Sequence, residues 1–489
     1  MTRTRPIKVP TSSRHLAGAD GGVKASGNTS NSIARRGSDT LRSAIAGAVF
    51  APGDDGYDEA RRGYYLNLDQ RPAAVVLPES SADVVAAVQF ARAHGMRIAP
   101  QSTGHGAASL EPLEDAILLK TSRMRRVDVD PATRTARAEA GAEWQGVTVP
   151  AAEHGLAALA GTSPNVGVTG YTLGGGIGWL SRRYGLAANS VTAVELVTID
   201  GRLARVDAGH EPDLFWAMRG GGGSVGVVTA LEMALYPVPE LYAGVLFFPI
   251  ERGSEILYAW REWTDTVPDE VTSIARILRV PDLPEAPEPL RGRGLALVEA
   301  AYVGDTLSGA ELLRPLRKLG PELDTFATIP APALQALHMD PVDPVPAVGD
   351  GALLSAFGAG AIDAGVALVG PNAETSLASF EIRQLGGALG RSAPGGGAQA
   401  KIDAEFVMFA AGLAPTPELG DAVRAQVRAV KDALTPWRAA YDYYNFEETT
   451  AEANAALPRD AYPRLREIKA HYDPDQAIIS AHPVQPDGY

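Results

Sequence analysis

"RPAAVVLPESSADVVAAVQFARAHGMRIAPQSTGHGAASL", residues 71–110, decides the fold. "RPAAVVLP" is a short apolar strand, and "SADVVAAVQFARAHG" has helical spacing with Ser81 as the expected N-cap and Gly95 as the stop. "MRIAP" is the next strand. The chain then leaves the strand end in a turn where His105 stands between Gly104 and Gly106. A loop beyond a strand end is a common place for ligand contacts, and the spacing predicts an exposed turn there.

Working outward, "AILLK" (116–120) is another strand, and "RRVDVDPATRTARAEAG" alternates on both sides of "DPAT" as a hairpin does. "AEWQGVTVPAAEHG" reads as a helix, followed by the glycine-dense, charge-poor run at 161–190. "SVTAVELVTIDGRLARVD" is a second hairpin turning on Asp200-Gly201, "EPDLFWAMRG" a short helix, and "VGVVTALEMALYPV" a strand. Between about 240 and 440, strand-like pieces such as "YAGVLFFPI", "ALVEAAYVG", "ASFEIRQLGG" and "KIDAEFVMFAAG" alternate with helix-like ones, as in an α+β domain with an antiparallel sheet. Pro-rich "VPDLPEAPEPLRG" and "MDPVDPVPAVGDG" read as loops, and "RLREIKAHYDPDQAIISAHPVQP" as a helix with an extended tail. No repeat of solenoid period is present.

With 489 residues, the chain can build more than one core. Its 52 glycines and 36 prolines exceed the usual shares of about 7% and 5%, so turns and close backbone approaches are frequent. A net charge of −14 argues against nucleic acid or an anionic membrane as partner. Zero cysteines exclude disulfides, thiolate metal sites and a cysteine nucleophile. No apolar run reaches the ~18–20 residues of a membrane span. Residues 1–44 read as a disordered leader, although "GSDTLRSAIAGAVF" at its end is amphipathic. Arg35-Arg36 lacks the apolar region of an export signal, so a cytoplasmic protein is expected.

Two motifs mislead. "GGGSVG" (221–226) satisfies G-x-G-x-x-G, and it holds G-x-S-x-G around Ser224. Both mechanisms need a strand before the loop and a helix after it, whereas here a helix precedes and a strand follows. What survives is a glycine run whose backbone N–H groups can approach an anionic or planar ligand. The histidines at 15, 94, 105, 154, 210, 338, 471 and 482 show no metal-binding spacing, so no metal is expected and each reads singly as surface or structural. His94 and His154 suit helix C-termini.

"GHGAAS", "VGVTGYTLGGGIGWLSRRYGLA", "DLFWAMRGGGGSVGVVT", "YYNF" and "IKAHYDPD" follow one another in an order that resembles the vanillyl-alcohol-oxidase (PCMH-type) FAD-linked oxidoreductases, in their berberine-bridge-enzyme-like branch. The resemblance runs from about residue 45 to the C-terminus. It implies an α+β fold in which a two-subdomain FAD-binding domain (45–237, completed by 441–489) is joined to an antiparallel-sheet substrate domain (238–440). It implies FAD bound covalently through His105. Ser163 stands where many members have a second, cysteinyl link, so attachment through His105 only is expected. Val166 matches a position where valine accompanies oxygen reactivity. Gly104, Gly106, Gly167, Gly170, Tyr171, Gly174, Gly175, Gly176, Gly226 and Val228 match positions around the cofactor. Asn189 and Ser190 replace an aspartate and an asparagine, with small changes in local hydrogen bonding expected.

Flavin chemistry also needs a group to take the substrate proton. The resemblance puts Tyr443 and Asn445 of "YYNF" there, with Phe446 in place of a tyrosine. A tyrosine of ordinary pKa ~10 becomes a base only beside a positive charge or hydrogen-bond donors. An aromatic core position is the alternative for Tyr443. Tyr444 would point the other way if the segment is extended. Glu381 and Arg383, two apart on a strand, share a face that the resemblance turns toward the flavin; they orient substrate, tune the tyrosine, or are a structural ion pair. Asp403 and Glu405 repeat that spacing on the next strand. The expected activity is an FAD oxidase taking a hydride from a small or medium alcohol, hemiacetal or amine and reducing O2 to H2O2. A dehydrogenase with another acceptor, a non-catalytic flavin-binding protein and a hydrolase built on Ser224 are the alternatives. Substrate identity and oligomeric state are not legible.

Overall fold

The helix of the opening stretch runs from Ser81 to Ala93, capped by Ser80 rather than Ser81: Ser80 Oγ accepts the Asp83 N–H at 3.3 Å. Val84, Ala87, Val88 and Ala91 are fully buried at helical spacing. They pack on one face of a four-stranded sheet formed by β1 (Ala48–Phe50), β2 (Ala74–Leu77), β3 (Arg97–Gln101) and β4 (Ala116–Lys120), in the order β1-β2-β4-β3. β2 and β3 both lie parallel to β4, as the helical crossover requires, and β1 is antiparallel to β2. Burying each such valine is worth about 1.5–3 kcal/mol.

The computed structural model describes residues 39–110, 112–284, 288–449 and 453–486. The leader expected at 1–44 lies mostly outside these. Residues 39–44 are helical and Leu41 is buried in the same core, so the folded part begins before residue 45. The amphipathic segment is therefore a short helix followed by β1.

A five-stranded antiparallel sheet follows, from β5 (Val127–Asp130), β6 (Thr135–Glu139), β8 (Val191–Val197), β9 (Leu203–Asp207) and β10 (Val227–Ala234), in the order β5-β6-β10-β8-β9. β7 (Leu156–Ala157) pairs with β11 (Tyr236–Pro237). The helix Pro212–Met218 precedes the glycine run and β10 follows it, the reverse of a hydrolase elbow. Ser224 is buried, its carbonyl taken by Lys469 Nζ at 2.7 Å.

The third sheet has eight strands: β12 (Glu240–Pro249), β13 (Val271–Arg279), β14 (Gly294–Tyr302), β15 (Leu323–Asp324), β16 (Ala327–Pro330), β17 (Ala347–Leu354), β18 (Ser379–Gln384) and β19 (Phe406–Leu413). All its pairings are antiparallel. Helices Gly253–Thr264, Ala359–Val369 and Pro417–Ala433 cover one face, burying Ile277, Phe380, Ile382 and Met408 against Trp260, Ile362, Val423 and Val427. The other face carries Arg276, Glu299, Glu381, Arg383 and Phe409, which register pairing brings side by side.

Three expectations are corrected here. "MDPVDPVPAVGDG" is not all loop, because Ala347 begins β17. Asp403 and Glu405 precede β19, which starts at Phe406, and both are exposed, so they do not join the sheet face. "YYNF" is a turn closed by Phe446 N–H to Tyr443 C=O at 2.8 Å, not an extended segment.

The chain after residue 440 returns to the first sheets. Ile98 N–H donates to Ala477 C=O (2.7 Å) and Ile479 N–H to Ile98 C=O (2.8 Å), so the tail runs beside β3. Lys469 and Asp473 form a buried ion pair at 2.6 Å behind the glycine run.

Candidate active site

A cleft of about 670 Å³ opens between the bare face of the eight-stranded sheet, the 101–110 turn, the glycine-rich 161–173 segment and the 443–448 turn. That volume suits a cofactor or substrate site.

His105 lies on this wall, half-buried rather than exposed. Its ring stacks on Tyr64 at 3.8 Å, and Thr103 Oγ1 hydrogen-bonds Nδ1 at 2.8 Å, leaving Nε2 free of that contact. Burial lowers its pKa to about 4, against a small opposing pull from Asp340, so the imidazole is neutral at ordinary pH. The turn depends on Gly104, whose φ of +87° is in the left-handed region and whose added Cβ would stand 2.8 Å from Gly63 Cα.

The cleft suits a large polar ligand such as FAD. Ser102 Oγ and Thr169 Oγ1 line it, buried and without a hydrogen-bond partner among the described residues. A Cβ added at Gly106 or Gly170 would meet nothing within 4 Å, so the backbone there is open to a close approach. Gly167, Gly226, Val228 and Val166 line the same space. Ser163 also lines it, its Oγ donating to Asn165 Oδ1 at 2.8 Å.

Gly174, Gly175 and Gly176 are placed differently from the expectation: they do not line the cleft. A Cβ at Gly174 would lie 1.9 Å from Asn445 Oδ1, and one at Gly176 would lie 2.5 Å from the Tyr171 ring. The missing side chains of Gly174 and Gly175 let the 443–445 turn seat against the segment from behind, and that of Gly176 makes room for Tyr171 and Ala187. Tyr171 packs edge-on to Trp144 at 5.3 Å, with its carbonyl accepting Asn445 Nδ2 at 2.9 Å.

Tyr443 is 1% exposed and lines the cleft. Asn445 Nδ2 donates to its hydroxyl oxygen at 3.3 Å. Burial pushes its pKa up, while Asn445, the backbone at Gly176 and Arg383 pull it down without cancelling the burial. Tyr444 lines the cleft too, its hydroxyl 3.3 Å from the Gly222 carbonyl.

Glu381 and Arg383 do stand together on the cleft wall. Arg383 Nε donates to Glu381 Oε1 at 2.8 Å and its NH2 lies 2.7 Å from the same oxygen. The sequence reading missed what continues from them. Glu381 Oε2 pairs with His338 Nε2 at 2.7 Å, His338 Nδ1 with Glu299 Oε2 at 2.5 Å, and Glu299 Oε1 with Arg276 at 2.7 Å. All five residues are at most 9% exposed. Burial and Arg276 favour neutral His338, but Glu299, Asp340 and Glu381 outweigh them and raise its pKa to about 9. His338 is therefore an imidazolium whose two nitrogens both donate. Burial alone would raise Glu381, but Arg383 and His338 hold it well below the usual carboxylate range. The available signal was a charge flanked by apolar residues within each strand, Arg276 in "IARIL" and Glu299 in "LALVEAAYV".

Tyr65 and Glu448 were also not anticipated. The Tyr65 hydroxyl donates to Glu448 Oε1 at 2.7 Å, and burial raises the carboxyl pKa to about 8.

Residues 72–207 match a protein family described as an FAD binding domain. The chain is 29% identical over 281 residues to YgaK, an uncharacterised FAD-linked oxidoreductase of Bacillus subtilis, covering 56% of this chain and 60% of that one. A second from the same organism, YvdP, is 27% identical over 90% of this chain and 98% of its own. (R)-6-hydroxynicotine oxidase of Paenarthrobacter nicotinovorans is 34% identical over 41% of this chain and 44% of its own. Among solved structures, BBE-like 1 of Physcomitrella patens superposes with a TM-score of 0.80 over 92% of this chain and 99% of its own, at 18% identity. Residues 72–207 thus form an FAD-binding domain, and along most of its length the chain is similar to FAD-linked oxidoreductases. Its fold is that of the berberine-bridge-enzyme-like proteins.

Proposed function

We propose that this protein is an oxidase of a small or medium organic alcohol, hemiacetal or amine, with FAD linked through His105 alone. FAD, when bound, supplies the hydride acceptor and hands the electrons to O2, giving H2O2. The observation that carries the reading is Tyr443 on the cleft wall, its hydroxyl oxygen taking Asn445 Nδ2 at 3.3 Å with the Arg383 charge nearby. The donor and the cation offset part of the burial that keeps the hydroxyl protonated, and a proton-acceptor role toward substrate O–H or N–H depends on them. Glu381 is too strongly stabilised as a carboxylate to compete for that proton; with Arg383 it holds the wall in place.

His105 is suited to its role because burial keeps the ring neutral, and a neutral nitrogen has the lone pair a covalent bond needs. With serine at position 163 no second link forms. Val166 lines the cleft, and we assign it to keeping an oxygen path open. The oxidase activity of the Paenarthrobacter relative supports the same class of reaction.

Acid precipitation tests the link: yellow colour should stay in the pellet for the wild type and move to the supernatant, or vanish, in His105→Ala. Colour in the wild-type supernatant rejects the covalent link while leaving bound FAD. A substrate screen read by peroxide formation tests the oxidase; turnover only with an artificial electron acceptor would make it a dehydrogenase.

A further inference from the structure

Five charges alternate along the cleft wall: Arg276, Glu299, His338, Glu381 and Arg383, with a cation at each end. Three cations against two carboxylates leave one positive charge unmatched in a wall with little water. Asp340, 3.7 Å from His338 Nε2, compensates only in part, since it is 30% exposed and its Oδ2 accepts the Thr162 hydroxyl at 3.0 Å. At the cleft end, Arg383 spends Nε and one N–H of NH2 on a single oxygen of Glu381. Its NH1 has no hydrogen-bond partner among the described residues, and the guanidinium lies over Phe446 at 4.9 Å. Arg383 lines the cleft, and the Glu381 contacts leave NH1 and the second N–H of NH2 as two neighbouring donors on a side chain already held in place. That is the geometry that recognises a planar carboxylate.

We propose that Arg383 is a substrate-anion site, and that the substrate carries a carboxylate which completes the chain of alternating charges. This rests on the oxidase reading only for the word substrate; the anion site stands on the wall itself.

The test is a titration of the flavin-containing protein with benzoate and phenylacetate against their neutral amides, read by the visible difference spectrum and by calorimetry. Each acid is expected to bind at least tenfold more tightly than its amide. Arg383→Met should remove that preference, acid and amide then binding alike, and Arg383→Lys should recover part of it. Equal affinities for acid and amide in the wild type, or an acid preference that survives Arg383→Met, overturn the proposal. Should Arg383→Met not fold, the wild-type comparison and the Arg383→Lys variant decide it. Protein that holds no flavin would sink the oxidase reading, while calorimetry would still decide the anion site.

Discussion

In the proposed oxidase, the Arg383 charge acts on the Tyr443 hydroxyl. The positive charge lowers the tyrosine pKa and burial raises it, so removing the charge leaves burial unopposed on that side. A base must be deprotonated to act, so kcat should rise with pH through the tyrosine limb. In Arg383→Met that limb should move still higher, so kcat on a neutral substrate at a fixed pH of about 9 should fall at least several-fold, checked by steady-state rates of the two proteins. Val166→Leu should slow reoxidation by air at least tenfold while leaving anaerobic reduction nearly unchanged, checked by stopped-flow of each half-reaction. His338 gives a stability signature. Its folded pKa of about 9 exceeds the unfolded value near 6.5, so its contribution is complete below pH 6.5 and lost as pH rises through about 9. Glu448, raised to about 8, acts in the same direction: the folded state holds its proton longer, so stability falls between about pH 4.5 and 8. Melting temperature should therefore fall from pH 6.5 to 9.5, and the fall should be smaller in His338→Gln.

The elements follow from local patterns with two instructive exceptions. Helix Ser81–Ala93 was legible because four apolar residues recur on one face. Its cap moved to Ser80 because adjacent serines offer the same hydroxyl, and only the turn geometry selects between them. Ser80→Ala should cost about 1 kcal/mol of stability by denaturant unfolding. β13 was not recognised, since Thr272, Ser273, Arg276 and Arg279 break the apolar pattern of the strand. The sheet's helix-covered face holds those strands in place. Ile382→Ala there should cost about 2–5 kcal/mol with little change in the flavin spectrum, because that side chain points away from the cleft.

At the scale of the molecule, residues after 440 lock the FAD-binding part to the sheet that faces it. Asp473 is fully buried and takes Lys469 Nζ at 2.6 Å, together with the N–H groups of Ala477 and Ile478. Asp473→Ala leaves a buried ammonium without its partner, an effect of about 3–5 kcal/mol. It should also loosen the tail beside β3 and the glycine run, so thermal unfolding and flavin retention should decline together.

By itself, the sequence determined the periodic elements, the α+β class, the reversed order around Ser224 that removes a hydrolase, and the His105 turn. These are local or nearly local: spacing of apolar residues, turn chemistry and motif order suffice. Tertiary structure alone decided which charges meet. Arg276, Glu299, His338, Glu381 and Arg383 come from three strands and a loop across more than a hundred positions, and strand register puts them in one line. It also put Gly174–Gly176 behind the cleft instead of in its wall, where Tyr444 and Asn445, Gln399 and Tyr443, and Tyr171 and Ala187 fill the space their missing side chains leave. Pairing between distant strands depends on the whole packed sheet, and no stretch of the chain encodes it alone.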